Sequence, residues 1–191
     1  MSLTPGFADP VLGAQSCFRA LLTAMSRPGL VQTIGGLADP PPGLDIATAG
    51  AALTLLDAET PLHHDAGAAA NEWLAFHAGC PMAETPAEAA FVIATGEAPS
   101  LAVLNAGTDE IPESGATIII QVKSLTEGSG WRLTGPGIER EHRLAVEGLP
   151  AGFAADRAKL ARHFPRGVDV VLCAGDKLAA IPRTTRIEET R

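Results

Sequence analysis

The chain has 191 residues, 46% of them hydrophobic and 19% charged, and a net charge of −8. That apolar content excludes an intrinsically disordered chain, and the acidic balance argues against a whole-surface nucleic-acid binder, whose charge has the opposite sign. The length is that of one domain, large enough to bury a core with no disulfide or metal staple.

The first predicted element is a helix from Asp9 to Met25. Val11, Ala14, Phe18, Leu21, Leu22 and Met25 recur at steps of three and four and mark one apolar face. Asp9 reads as its cap, with Pro10 at the first helical position, and Pro28-Gly29 stops it. A short strand is expected over Leu30–Ile34, then turn material from Gly35 to Leu44. A second helix follows over Asp45–Leu56, with Ile46, Ala49, Leu53 and Leu56 on one face. Asp57–Asp65 reads as a polar loop or edge strand, and Asn71–His77 as a short helix carrying Trp73 and Phe76.

The run AAFVIA at Ala89–Ala94 predicts a buried strand, and Ser100 caps a helical turn or two up to Ala106. Thr117–Val122 (TIIIQV) is the strongest strand, its Ile run predicting burial on both faces. Trp131–Thr134 and Arg143–Val146 flank a GPGI turn and are expected to pair. Ala154–His163 reads as an amphipathic helix, Val168–Cys173 as a buried strand, and Leu178–Ile181 as a last short strand before a polar tail. Interleaved strands and helices argue for an α/β fold, a three-layer sandwich with a mixed sheet. One domain is expected over residues 1–191, with about 184–191 as an extended tail.

Cys17, Cys80 and Cys173 are widely spaced, which is neither a disulfide framework nor a metal knuckle. With no signal-peptide pattern at the start and no apolar run near the roughly 20 residues that span a bilayer, a cytoplasmic chain with no membrane partner is expected. No phosphate loop, dinucleotide fingerprint, nucleophile elbow or HExxH is present. His63-His64 would point to opposite faces of a strand, and His77 with Cys80 lacks a second ligand pair, so no metal is expected.

Four polar clusters carry the remaining chemistry. Ser26-Arg27-Pro28-Gly29 stops a helix and presents Arg27. In Thr134-Gly135-Pro136-Gly137-Ile138, an ordinary tight turn, Gly135 and Gly137 would let a ligand approach the backbone. Phe164-Pro165-Arg166-Gly167-Val168-Asp169 brings Asp169 to the start of a buried strand, where Arg166 is a candidate partner. Pro182-Arg183-Thr184-Thr185-Arg186 sets two arginines three residues apart with hydroxyls between them, a pattern suited to a phosphate or to a partner's carboxylates. These place Arg27, Gly135, Gly137, Arg166, Arg183, Thr184 and Arg186 as anion-binding candidates, with Asp57 and Asp169 as orienting carboxylates.

Together with Phe7-Ala8-Asp9-Pro10, Ala14-Gln15, Phe18-Arg19, Ala24-Met25, Leu53-Thr54-Leu55-Leu56-Asp57, Glu59-Thr60, Gly107-Thr108-Asp109-Glu110, Pro112-Glu113 and Ala116-Thr117, these clusters resemble, in order and over nearly the whole chain, the PhnH family of the bacterial carbon–phosphorus (C–P) lyase system. The resemblance implies an α/β/α sandwich like the large domain of pyridoxal-phosphate-dependent transferases, without the cofactor. It implies a homodimer that joins the other C–P lyase core subunits. That assembly makes ribose 1-methylphosphonate 5-triphosphate from ATP and methylphosphonate, displacing adenine, and this subunit is expected to be accessory, with chemistry carried elsewhere. Lys123, Lys159 and Lys177 lack a recognisable pyridoxal context, so no cofactor is expected. Two alternatives stand beside this reading: an independent phosphotransferase or hydrolase using Asp57 or His163 as general base, and a pure assembly scaffold.

Overall fold

The structure, a computed structural model, describes residues 4–189. Helix α1 spans Pro10–Ser26, and the Asp9 carboxylate accepts from the N–H groups of Val11 and Leu12 at 3.0 and 2.9 Å. The expected cap and proline therefore start the helix, satisfying donors that have no intrahelical partner. Strand β1 (Gln32–Thr33) follows, then α2 (Ile46–Leu55), β2 (Leu62–His64) and α3 (Ala68–His77). Next come β3 (Phe91–Ala94), two 3-10 turns at Leu101–Val103 and Pro112–Ser114, and β4 (Thr117–Gln121). The chain continues through β5 (Ser124–Thr134), β6 (His142–Glu147) and α4 (Phe153–Leu160), which runs on into a 3-10 turn at Ala161–His163. It closes with β7 (Asp169–Ala174), β8 (Lys177–Ile181) and β9 (Arg186–Glu188).

A six-stranded mixed sheet has the order β1-β8-β7-β4-β3-β2. Strands β2, β3, β4 and β7 are parallel, and β8 and β1 add antiparallel at one edge. Both faces are covered, as the isoleucine run predicts: Ile119 belongs to one core cluster and Ile118 and Ile120 to the other. On the first face lie α1, α2 and α3. The Ala- and Gly-rich α2 buries Ala47 to Ala52, whose small side chains let the helix lie close to the sheet.

The second face departs from a purely helical cover. A three-stranded antiparallel sheet, β6-β5-β9, packs there, its Leu125, Leu133 and Leu144 joining Phe153 of α4 and the main-sheet residues in one core. Trp131 of β5 stacks on Phe153 at 5.8 Å between ring centroids. The expected pairing of Trp131–Thr134 with Arg143–Val146 is present, with Trp131 opposite Leu144 and Leu133 opposite His142. Strand β5 starts well before Trp131, at Ser124, because the Gly128-Ser129-Gly130 segment is a bulge within one strand rather than a loop. The polar tail is not free either: Arg186–Glu188 pairs with Thr134–Arg132 of β5 as β9, while residues 190–191 lie outside the described residues.

Helix α1 turns only part of the expected face inward: Leu21 is buried and Ala14 and Met25 pack against the core. Cys17, Leu21 and Ala24 are buried against the sheet, whereas Val11, Phe18 and Leu22 are half or more exposed. The narrow stripe of small side chains permits the close approach, and the bulkier stripe one residue on faces outward. Trp73 is likewise fully buried, donating to the Thr4 carbonyl at 2.9 Å, and only its neighbour Phe76 is exposed.

Candidate functional site

The polar clusters converge where the parallel strands begin. Strand β7 starts at Asp169, and β8, antiparallel to it, delivers Pro182–Arg186 to the same edge of the sheet. The Asp169 carboxylate accepts from Arg183 through three donors: the backbone N–H at 2.7 Å, Nε at 3.1 Å and Nη2 at 2.6 Å. Arg183 also donates from Nη1 to the Pro112 carbonyl, tying in the 107–113 loop. The side chains of this ion pair are only 15% and 16% exposed, so water screens it little. The partner of Asp169 is thus Arg183 and not the sequence-near Arg166. Arg166 pairs instead with Asp109, Nε to Oδ1 3.2 Å.

Two glycines explain how the turns reach one another. Gly137 has φ +83°, and a β-carbon there would overlap the Ser26 carbonyl oxygen and meet Pro28. Gly135, φ +134°, holds the Thr184 carbonyl oxygen 2.9 Å from where its β-carbon would be. The GPG turn is therefore wedged between the end of α1 and the residues leading into β9. Its glycines admit protein backbone on those sides. Arg27 itself is exposed at the C-cap of α1, beside this turn.

Arg157 of α4 lies beneath the cluster and is not among the candidates read from the sequence, where Ala154–His163 reads only as an amphipathic helix. It is 2% exposed. Nη1 donates to the Val168 carbonyl at 3.0 Å, and Nη2 to those of Ile181 and Pro182. Burial pushes its pKa down to about 10, the Asp169 carboxylate opposing and the Arg183 guanidinium adding to the effect. It remains a cation at neutral pH. Its Nε has no hydrogen-bond partner among the described residues, nor has the buried Oγ1 of Thr185. Each such orphan costs about 1–3 kcal/mol in an isolated fold.

Two adjoining clefts open above these groups. One, of about 320 Å³, is lined by Arg157, Ala158, Ala161, Arg162 and Thr185–Glu188. The other, of about 280 Å³, is lined by Pro136, Ala161, Phe164, Arg183, Thr184 and Arg186. Ala161 and Arg186 border both. Among the described residues, no ion pair engages Arg162 or Arg186. Glu188 is held by Arg132 at 2.8 Å. The clefts therefore present donors with few competing acceptors, a surface suited to an oxyanion.

The remaining candidates lie elsewhere. Asp57 caps its own turn, accepting from the Glu59 N–H at 2.9 Å. It precedes β2, three strands from β7 in the sheet order, or about 14 Å at the usual strand spacing. Asp57 thus orients none of these arginines. His163 is exposed at the end of the turn that follows α4, and no hydrogen bond or ion pair among the described residues joins it to Asp57. His63 and His64 contact the Ala83 carbonyl and Asn71 respectively, from opposite sides of β2. At the other end of the parallel strands a smaller cleft lies among Asp45, Thr95, Gly96, Gln121 and Lys123. Ligands of open α/β sheets commonly sit at that end, but the arginines gather at the opposite one.

Comparison with known proteins identifies this arrangement's relatives. Residues 5–188 match the family described as bacterial phosphonate metabolism protein (PhnH). The chain is 37% identical over 191 residues to the alpha-D-ribose 1-methylphosphonate 5-triphosphate synthase subunit PhnH of Rhizobium meliloti (strain 1021), covering 95% of this chain and 94% of the relative. It is 39% identical over 173 residues to a Stutzerimonas stutzeri protein named as the C-P lyase subunit HtxG, covering 91% of this chain and 85% of that one.

Proposed function

The chain belongs to the PhnH family of bacterial phosphonate metabolism proteins, and from that membership we propose that it is an accessory subunit of a cytoplasmic C–P lyase core complex. In that role it is required for making alpha-D-ribose 1-methylphosphonate 5-triphosphate from ATP and methylphosphonate, and other subunits carry the bond-making steps. The observation that carries this reading is the end-to-end match with relatives named as subunits. Two features of the molecule support it. Neither Asp57 nor His163, the residues an independent hydrolase would use as bases, lines either arginine cleft, although Arg162 and Phe164 on each side of His163 do. Val11, Leu12, Phe18 and Leu22 of α1 are exposed, an apolar surface of the kind that partners cover.

The protein forms a homodimer within the complex as one domain related in fold to the large domain of pyridoxal-phosphate-dependent transferases, and it uses no pyridoxal phosphate. Arg27, Thr184 and Arg186 remain available to an anion or to acidic groups of a neighbouring subunit, whereas Arg166 is engaged by Asp109 and Arg183, with Asp169, chiefly clasps the site together. Co-expression of the tagged chain with the other core subunits of its operon, followed by light scattering, tests the reading. The expected product is a stable complex of fixed stoichiometry. A lone species, retaining no partner at modest salt, refutes it.

A further inference from the structure

Behind the exposed arginines the cleft between α4 and β9 has a floor built from two buried donors. Arg157 and Thr185 are 2% and 1% exposed, and both line the larger cleft. Their Nε and Oγ1 atoms have no hydrogen-bond partner among the described residues. Carbonyls of Val168, Ile181 and Pro182 fix the two Nη atoms of Arg157, so the guanidinium is held in place by its far end. Arg162 and Arg186, on opposite walls, add two cations with no ion pair among the described residues, and the one acidic residue of the lining, Glu188, is bound to Arg132.

Apart from Glu188, which Arg132 holds through one carboxylate oxygen, the polar side chains of the lining can all donate. A ligand matching them must be rich in acceptors and negatively charged. Donors come from both walls and from the floor, which suits the three-dimensional spread of a tetrahedral oxyanion better than a planar carboxylate. The volume of about 320 Å³ admits a small molecule. We infer that the α4–β9 cleft is a binding site for a phosphate- or phosphonate-bearing small molecule, with Arg157 and Thr185 as the inner contacts and Arg162 and Arg186 as the outer ones. The inference extends the outer arginine surface to a defined site, and it does not require the chain to be assembled with partners.

The test is calorimetric titration of the full chain with inorganic phosphate, methylphosphonate and ATP in turn, which separates a bare oxyanion from a phosphonate and from a nucleotide. Saturable binding of at least one of them is expected, weakened about tenfold or more by Thr185→Val and by Arg186→Ala, the scale of a lost charge-assisted hydrogen bond. Thr185→Val also reads the orphan directly. Removing an unpartnered buried hydroxyl while keeping its volume leaves the unliganded Tm unchanged or up to about 3 °C higher. In the 15N spectrum, the Arg157 Nε–H resonance shifts on adding the bound anion. Failure of all three probes to bind below about 10 mM, an energy too small for a built site, overturns the inference. So does binding that both variants leave intact, or a several-degree fall in the Tm of Thr185→Val. Assembly measured on the same preparations keeps the two readings separate: a complex that forms without anion binding removes the cleft alone, and binding without assembly supports the cleft while removing the subunit role.

Discussion

Asp169 and Arg183 show how one side-chain pair holds several loops at once. The carboxylate binds a guanidinium and a backbone N–H, and the same guanidinium reaches Pro112. Removing one charge leaves the other nearly buried and uncompensated, which costs more than the pair itself contributes. Asp169→Asn, nearly the same shape, is therefore expected to lower the unfolding free energy by about 3 kcal/mol, read by urea denaturation. A loss under about 0.5 kcal/mol, the scale of an ordinary surface change, would mean that solvent screens the pair. Sequence proximity favoured Arg166 for this role, three residues from Asp169. The choice of Arg183 depends on β8 returning antiparallel beside β7, a tertiary fact that no local spacing encodes. Arg157 was illegible for a related reason: only the packing of α4 beside β9 and the distant carbonyls of Val168, Ile181 and Pro182 bury it.

At the scale of elements, strong local signals were read correctly and the choice between faces only in part. Asp9-Pro10 and Pro28-Gly29 delimit α1, and the isoleucine run of β4 announces a strand buried on both sides. The α1 sequence, however, carries two apolar stripes, and periodicity alone does not choose between them. Leu21→Ala should destabilise by about 3 kcal/mol and Leu22→Ala, one residue on, by less than about 0.5 kcal/mol. Equal losses in thermal denaturation would contradict the orientation of the helix. Strands β5 and β9 were only partly legible, since the glycine-bearing bulge imitates a loop and the Arg-Ile-Glu segment becomes a strand only because β5 offers an edge. The candidate site was legible as a set of motifs, and its floor was not.

For the molecule as a whole, net charge and local charge diverge. The chain is acidic overall, yet Arg157, Arg162, Arg166, Arg183 and Arg186 gather at one end of the main sheet, so an anion meets a positive mouth on a negative body. The helical face also shelters all three thiols. Burial raises the pKa of Cys17 and Cys80 and pushes Cys173 up to about 12. Above pH 9 an unfolded thiol loses its proton while the folded Cys173 keeps it, so unfolding releases a proton and stability falls as pH rises. Below that pH the contribution is complete. Arg157 has the opposite slope, but only above about pH 10. Urea denaturation at pH 8, 9 and 10 should show a loss of about 1 kcal/mol between pH 9 and 10, smaller in Cys173→Ala. A flat profile would place the thiol in contact with water.

The order of the main sheet has a further consequence for how the chain is made. Gln32 of β1 has its partner at Leu178, and β1 pairs with no other strand. At about 5–20 residues per second of synthesis, that edge waits on the order of ten seconds or more for its neighbour to emerge. During the wait α1 has lost neither of its apolar stripes to packing against β8. Slowing translation ahead of β8 should therefore increase aggregation without altering any contact of the finished molecule.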